Sequence, residues 1–276
     1  MKFDLRRIVE TALYEDIGSG DITTQATVAR DLISQAELVA KEDFTLAGID
    51  VAAEVFRTVD PAIAFDGLIA DGQKVQKGEV LAWLKGPASA LLQGERVALN
   101  LLQRMSGIAT LTSCFVREVA ATEAAIVDTR KTMPGLRVLD KYAVRAGGGN
   151  NHRTSLYDGV LIKENHIAAA GGITIAIERA RTRAPHTMKV EIETTNMAEV
   201  AEALQAGADI ILLDNMTLDQ LREAVQLIDG RAKTEASGGV NLETVREIAE
   251  TGVDLISVGA LTHSAKAVDI SMLFTT

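Results

Sequence analysis

Residues 188–215, MKVEIETTNMAEVAEALQAGADIILLDN, decide the fold. The stretch 188–194 predicts a strand, Asn196 a helix cap, 197–205 a helix, and Gly207 its stop before a second strand over 209–213. The unit then repeats. A helix is expected over 218–228 behind Thr217, a strand over 232–236, a helix over 242–250 behind Asn241, and a strand over 254–258. Ala206-Gly207-Ala208-Asp209 is echoed by Thr251-Gly252-Val253-Asp254 at the same point two units on. Strands apolar on both faces and separated by helices predict a parallel sheet covered by helices. With earlier strands expected over 125–128 and 158–162, about six or seven strands favour an incomplete or nearly closed parallel βα barrel over an open doubly wound sheet.

Outward from the barrel, the pattern changes near residue 105. A helix over 5–14, an acidic turn over 15–21, strands over 36–40, 62–65 and 80–84 and a helix over 49–58 predict an N-terminal α/β sandwich domain over 1–105. The barrel domain is then 106–265, with a tail, 266–276, packing back on the first domain. A long helix over 88–119 links the halves, with a break or bend expected near Gly107. The stretch 71–81 has the glycine and valine rhythm of a strand-turn carrier hairpin but no lysine in the carrier position, so it predicts geometry only. Gly147, Gly148 and Gly149 lack the strand and spacing of a dinucleotide fingerprint and are read as a loop presenting His152 and Arg153.

Composition narrows the chemistry. The 276 residues carry 28 Lys+Arg against 38 Asp+Glu, a net charge of −10, which argues against a broad nucleic-acid surface. Cys114 is the single cysteine, so an intrachain disulfide is excluded, and its helical setting favours a buried spectator over a nucleophile. No apolar run approaches a membrane span and the first residues lack a signal-peptide core; a soluble cytoplasmic protein is expected.

Functional groups of βα barrels gather beyond the carboxyl ends of the strands. Here those ends lead into Asp128-Thr129-Arg130-Lys131, Lys163-Glu164-Asn165-His166, Glu191-Ile192-Glu193, Asp214-Asn215, Ser237-Gly238-Gly239 and Gly259. Arg130, Lys131, Arg153 and Lys163, with His152 alongside, concentrate cations in an acidic chain and predict a multiply charged anion. The structural alternative is that Arg130 and Arg153 pair with Asp128 and Asp158. Glu193 and Asp214 end neighbouring strands and suit Mg²⁺ that keeps waters and takes phosphate oxygens, the alternative being ion pairs with Lys163 or Lys189. The four histidines show no zinc spacing. Ser237-Gly238-Gly239 and Gly259-Ala260 form two loops whose backbone N–H groups suit a phosphate. Two anionic substrates with Mg²⁺ suggest a transferase using a phosphorylated sugar.

Seven segments also resemble the quinolinate phosphoribosyltransferase family: 15–24, 100–110, 128–135, 148–153, 161–166, 212–215 and 235–239. The resemblance spans nearly the whole chain in order. It implies transfer of a phosphoribosyl group from phosphoribosyl pyrophosphate (PRPP) to quinolinate with loss of CO₂, giving nicotinate mononucleotide and pyrophosphate for de novo NAD synthesis. It further implies that Arg104, Arg130, His152, Arg153 and Lys163 hold the two quinolinate carboxylates and that Lys131 reaches the pyrophosphate or ribose side. Glu193 and Asp214 would engage the ribose hydroxyls and Mg²⁺, and Ser237, Gly238, Gly259 and His263 the 5′-phosphate. Lys131, Lys163, Glu193 and Asp214 would be the catalytic set, with no redox cofactor. Family members are homodimers in which the residue matching Arg104 comes from the partner subunit. Two other readings compete: a related phosphoribosyltransferase acting on another heteroaromatic acid, as suggested for molybdate-operon relatives, and a catalytically idle anion-binding protein. The first is expected to lose some of these arginines, and the second has no use for two phosphate loops beside paired carboxylates.

Overall fold

The computed structural model describes residues 2–275, with side chains from Leu5 to Thr275. Met1 and Thr276, the outermost residues of the expected domain and tail, lie outside the described residues. In chain order the first elements are α1 (Lys2–Ile17), α2 (Ile22–Thr27), β1 (Ile33–Ala40), β2 (Phe44–Thr45), α3 (Ile49–Val59) and β3 (Ala64–Gly67). β4 (Lys74–Val75), β5 (Val80–Pro87) and α4 (Ala88–Val119) follow, then β6 (Ala125–Val127), α5 (Arg137–Ala146), β7 (Val160–Ile162), α6 (Glu164–Ala170) and α7 (Ile173–Arg183). The chain continues through β8 (Val190–Thr194), α8 (Met197–Gln205), β9 (Ile210–Asp214), α9 (Leu218–Ile228), β10 (Lys233–Ser237) and α10 (Val245–Ala249). It closes with β11 (Leu255–Ser257), α11 (Ala260–His263) and β12 (Ile270–Thr275).

Two compact units result. The first comprises 2–113, 132–148 and 262–275. Its antiparallel sheet has the order β12-β1-β5-β3, and β12 pairs along β1 from Ala40↔Ile270 to Gln35↔Thr275. A small β2-β4 ladder stands apart. Phe56, Leu38, Leu81, Leu84, Leu91 and Met105 are buried in its core, the burial that stabilises it most. The 105 boundary falls inside α4, which runs unbroken from Ala88 to Val119. The break expected at Gly107 is absent: a Cβ there would collide with the backbone of Lys266 and Ala267, so this glycine serves close approach of the C-terminal segment.

The second unit comprises 114–131 and 149–261. Its six parallel strands have the order β6-β11-β10-β9-β8-β7, and Asn150 adds a parallel bridge to Val127 at the β6 edge. The barrel is therefore incomplete, with a seam between the Asn150 segment and β7. Ile192, Ile211, Leu213, Ile256, Val200 and Leu221 are buried between strands and helices. Asn196 and Thr217 cap α8 and α9 as expected. Asn241 instead closes the turn before α10, accepting from the Glu243 and Thr244 N–H groups. α6 and α7 have no counterpart in the sequence expectations, because Ile173-Thr174-Ile175-Ala176-Ile177 alternates as a strand would. Among the described residues no helix is long and apolar enough to cross a membrane.

Candidate active site

Strand register builds the carboxyl rim of the second unit. The β7–β8 pair Ile162↔Ile192 places Lys163 beside Glu193, and the two side chains form an ion pair. Lys163 is also the N-cap of α6, and its N–H donates to His166 Nδ1 at 3.0 Å. On the next strands Ser237↔Asp214 is a register pair, and the Ser237 hydroxyl donates to Asp214 Oδ1 at 2.6 Å. Asn215 Nδ2 donates to the other Asp214 oxygen at 2.7 Å. Asn215 itself has φ 53° and its N–H donates to the Ser237 carbonyl at 2.9 Å.

At the seam, the Asp128 carboxylate is fully buried and accepts from the His152 N–H at 2.9 Å and from Asn151 Nδ2 at 2.6 Å. Arg153 spans the seam: its Nη1 donates to the Gly159 carbonyl at 3.1 Å while its methylenes lie against Gly159. The 154–158 loop is pinned by Asp158, which accepts from the Thr154 and Ser155 N–H groups at 2.7 Å each. Burial and, after it, the Arg130 charge push the Arg153 guanidinium down from its usual range, with Glu191 and Asp158 opposing. Two guanidiniums close enough to repel form a site that a bound anion stabilises. Lys131 is exposed on the same loop as Arg130, its N–H held by Thr129 Oγ1 at 3.0 Å.

His152 turns inward. Its Nδ1 accepts the Arg153 N–H at 2.7 Å, so the ring proton sits on Nε2, which donates to Glu191 Oε1 at 3.3 Å with Glu235 Oε2 at 3.6 Å. Glu191 and Glu235 are both buried, and Glu235 Oε1 has no hydrogen-bond partner. Burial first, then the Glu191 charge, push the Glu235 carboxyl up to about 7, outweighing His152, Ser257 and Lys163. These residues border a cavity of about 430 Å³ that is also lined by Arg153, Asp158, Lys189 and Ile210. The ligand atoms of His152, Glu191 and Glu235 lie within 4.8 Å of one another. With a proton on Nε2 and a backbone donor on Nδ1, however, the imidazole offers no lone pair to a metal. Glu193 and Asp214 are oxygen donors of the kind Mg²⁺ takes, and each already has a partner within the chain: Glu193 the ion pair with Lys163, Asp214 the Ser237 hydroxyl and the Asn215 amide.

Of the residues the sequence singles out, this rim brings together Arg130 with Arg153, Lys163 with Glu193, and Asp214 with Ser237 and Gly238. Gly259 directly precedes α11. Arg104 and His263 belong to the first unit, where Asp140 holds Arg104 in a two-pronged pair and Ser264 Oγ lies 2.7 Å from His263 Nδ1. The sequence reading gave no role to Glu191 or Glu235. Each lies two residues before a rim residue, Glu193 or Ser237, and strand alternation puts it on the same inward face.

A barrel with paired cations, paired carboxylates and a glycine loop on its rim defines a transferase for anionic substrates. Residues 21–106 match the N-terminal domain described as "Quinolinate phosphoribosyl transferase, N-terminal domain", and residues 108–273 match the C-terminal domain of the same description. The chain belongs to the quinolinate phosphoribosyltransferase family. It is 48% identical over 268 residues to the "Probable nicotinate-nucleotide pyrophosphorylase [carboxylating]" of Bacillus subtilis, covering 97% of this chain and 92% of that protein. It is 47% identical to "Quinolinate phosphoribosyltransferase [decarboxylating] 1b" of Nicotiana tabacum, covering 98% of this chain and 82% of the relative. The crystal structure of NadC from Streptococcus pyogenes superposes with a TM-score of 0.96 at 41% identity, over 100% of this chain and 98% of that one.

Proposed function

We propose that this enzyme transfers the phosphoribosyl group of PRPP to quinolinate and releases CO₂, forming nicotinate mononucleotide and pyrophosphate. The observation that carries the reading is the set of cations at the seam and rim, Arg153 spanning the seam to the Gly159 carbonyl with the Arg130 charge opposing it and Lys163 beside Glu193, which calls for a ligand with two negative groups. Quinolinate supplies adjacent carboxylates. Arg130, Arg153 and Lys163 hold them, with His152 beside them, and Arg104 of the partner subunit completes the pocket in a homodimer. The relatives are named for quinolinate or nicotinate nucleotide, which favours this substrate over another heteroaromatic acid.

The PRPP side falls to the other half of the rim. Ser237, Gly238, Gly259 and His263 take the 5′-phosphate, and Lys131 the pyrophosphate. Glu193 and Asp214 bind the ribose hydroxyls and would hold Mg²⁺, which when bound neutralises the leaving pyrophosphate. Loss of pyrophosphate develops positive charge at the anomeric carbon, which the Glu193 carboxylate would stabilise. The pyridine nitrogen attacks that carbon, and the fixed guanidiniums contribute by aligning it. The ring cation then accepts the electron pair freed as CO₂ leaves, and a proton takes the vacated carbon. No redox cofactor takes part. The enzyme is read as cytoplasmic.

Incubation with quinolinate, PRPP and Mg²⁺ tests this: nicotinate mononucleotide and CO₂ are expected in equal amounts, and EDTA should stop the reaction until Mg²⁺ is restored. Turnover of nicotinate but not quinolinate would overturn it.

A further inference from the structure

Barrel interiors are ordinarily filled by branched apolar side chains. Here two carboxylates and an imidazole occupy that space, contributed by β8, β10 and the segment after Asn150. Burying them is unfavourable unless they are hydrogen-bonded, and Glu235 keeps one oxygen without a partner. Such an arrangement calls for a role.

The hydrogen bonds run in one direction. Glu191, fixed in β8, accepts from His152 Nε2 through Oε1 at 3.3 Å. His152 Nδ1 accepts the N–H of Arg153 at 2.7 Å, and the Arg153 guanidinium reaches the Gly159 carbonyl at 3.1 Å. Glu235 closes the far side of the imidazole at 3.6 Å. Both ring nitrogens are thus spent inside the chain, and His152 has no polar atom left for a substrate carboxylate. Asp128 fixes the backbone N–H of the same residue, so the imidazole is held from two sides.

We propose that Glu191 and Glu235 are positioning residues for the dicarboxylate subsite, acting through the His152 ring to set the backbone and guanidinium of Arg153. The inference rests on the reading that Arg153 binds quinolinate. It gives His152 an indirect part: the ring transmits the orientation of β8 to the seam and does not itself touch the ligand. The Arg153 guanidinium keeps its place across the seam only if its backbone is anchored, and the anchor is this buried chain.

The test is a double-mutant cycle of steady-state kinetics on the full-length protein. Glu191→Ala and His152→Asn should each raise the KM for quinolinate about tenfold, leaving kcat and the KM for PRPP within about twofold. The double variant should be no worse than His152→Asn alone, because both changes cut the same chain. Glu191→Gln, which keeps an acceptor for Nε2–H, should recover most of the affinity. Should Glu191→Ala not fold, His152→Asn with Glu191→Gln completes the cycle. Additive losses would overturn the proposal by showing that His152 and Glu191 act independently. So would an unchanged quinolinate KM, or equal losses for both substrates. If the wild type turns over quinolinate and the variants match it, only the positioning role falls. If the wild type itself is inactive, the functional reading falls and takes this inference with it.

Discussion

The Arg104 guanidinium is clamped by Asp140, Nε and Nη2 donating to the two carboxylate oxygens at 2.9 and 2.8 Å. Asp140 is completely buried and also accepts the Met133 N–H at 3.0 Å, while Arg104 keeps 23% of its side chain exposed. The pair therefore anchors a cation without enclosing it. Asp140→Ala removes the buried partner of a charge, and the first unit should lose about 3–5 kcal/mol. Asp140→Asn should lose less, since one oxygen still accepts. Urea unfolding monitored by circular dichroism checks both.

If Arg104 serves the neighbouring subunit of a homodimer, two inactive variants should complement each other. Arg104→Ala and Arg153→Ala, each inactive alone, mixed into one dimer should regain up to about a quarter of the wild-type rate per dimer when folding stays two-state and subunits exchange at random. A purified heterodimer without any activity would rule out shared sites.

Gly238 has φ +94°, and a Cβ there would run into the Asn215 side chain, which in turn donates to Asp214. Gly238→Ala should therefore strain the loop by about 1–2 kcal/mol and displace the Asp214 carboxylate. The expected result is a higher KM for PRPP with little change for quinolinate. Gly239, also at positive φ, faces open space, so Gly239→Ala should cost stability without the PRPP effect. Steady-state kinetics on both variants separates the two.

Glu235 is protonated in the folded state up to about pH 7, against 4.5 for an ordinary glutamate. The folded protein thus binds the proton more tightly than the unfolded chain. Its contribution to stability is greatest below pH 4.5, declines as pH rises to about 7, and is then flat. The decline is roughly 3 kcal/mol at about 1.4 kcal/mol per pH unit. Glu191, His152, Ser257 and Lys163 face this carboxyl and set the midpoint. Glu235→Gln should abolish that decline, leaving the variant relatively more stable above pH 7. Thermal melts across about pH 5 to 8 should show it. An identical slope in both proteins would refute the assignment.

Much of the architecture is legible in local patterns. α4, α8 and α9 begin and end where periodicity and capping residues predict, because each lays an apolar stripe on a core and carries its own stop signals. Strand ends in the parallel sheet agree within two residues, the usual fraying of such boundaries, while β1 begins and β5 ends three residues beyond the expected limits. The α6–α7 pair escapes because α6 buries no residue and α7 opens with an alternating run. Gly107 misleads for another reason: a glycine inside a helix reads as a weak point, whereas the approach of Lys266 requires it.

The sequence by itself determined the repeating βα units, the incomplete barrel, the family and the set of polar residues at the strand ends, since all of these depend on local spacing. Only the tertiary structure decided what those residues do to one another. Register put Lys163 on Glu193 and Ser237 on Asp214, and the seam put Arg130 beside Arg153. It also turned His152 inward, onto two buried glutamates that strand alternation places on the inner face. A hydrogen bond is fixed by distance and direction between strands far apart in the chain, and no local pattern encodes either.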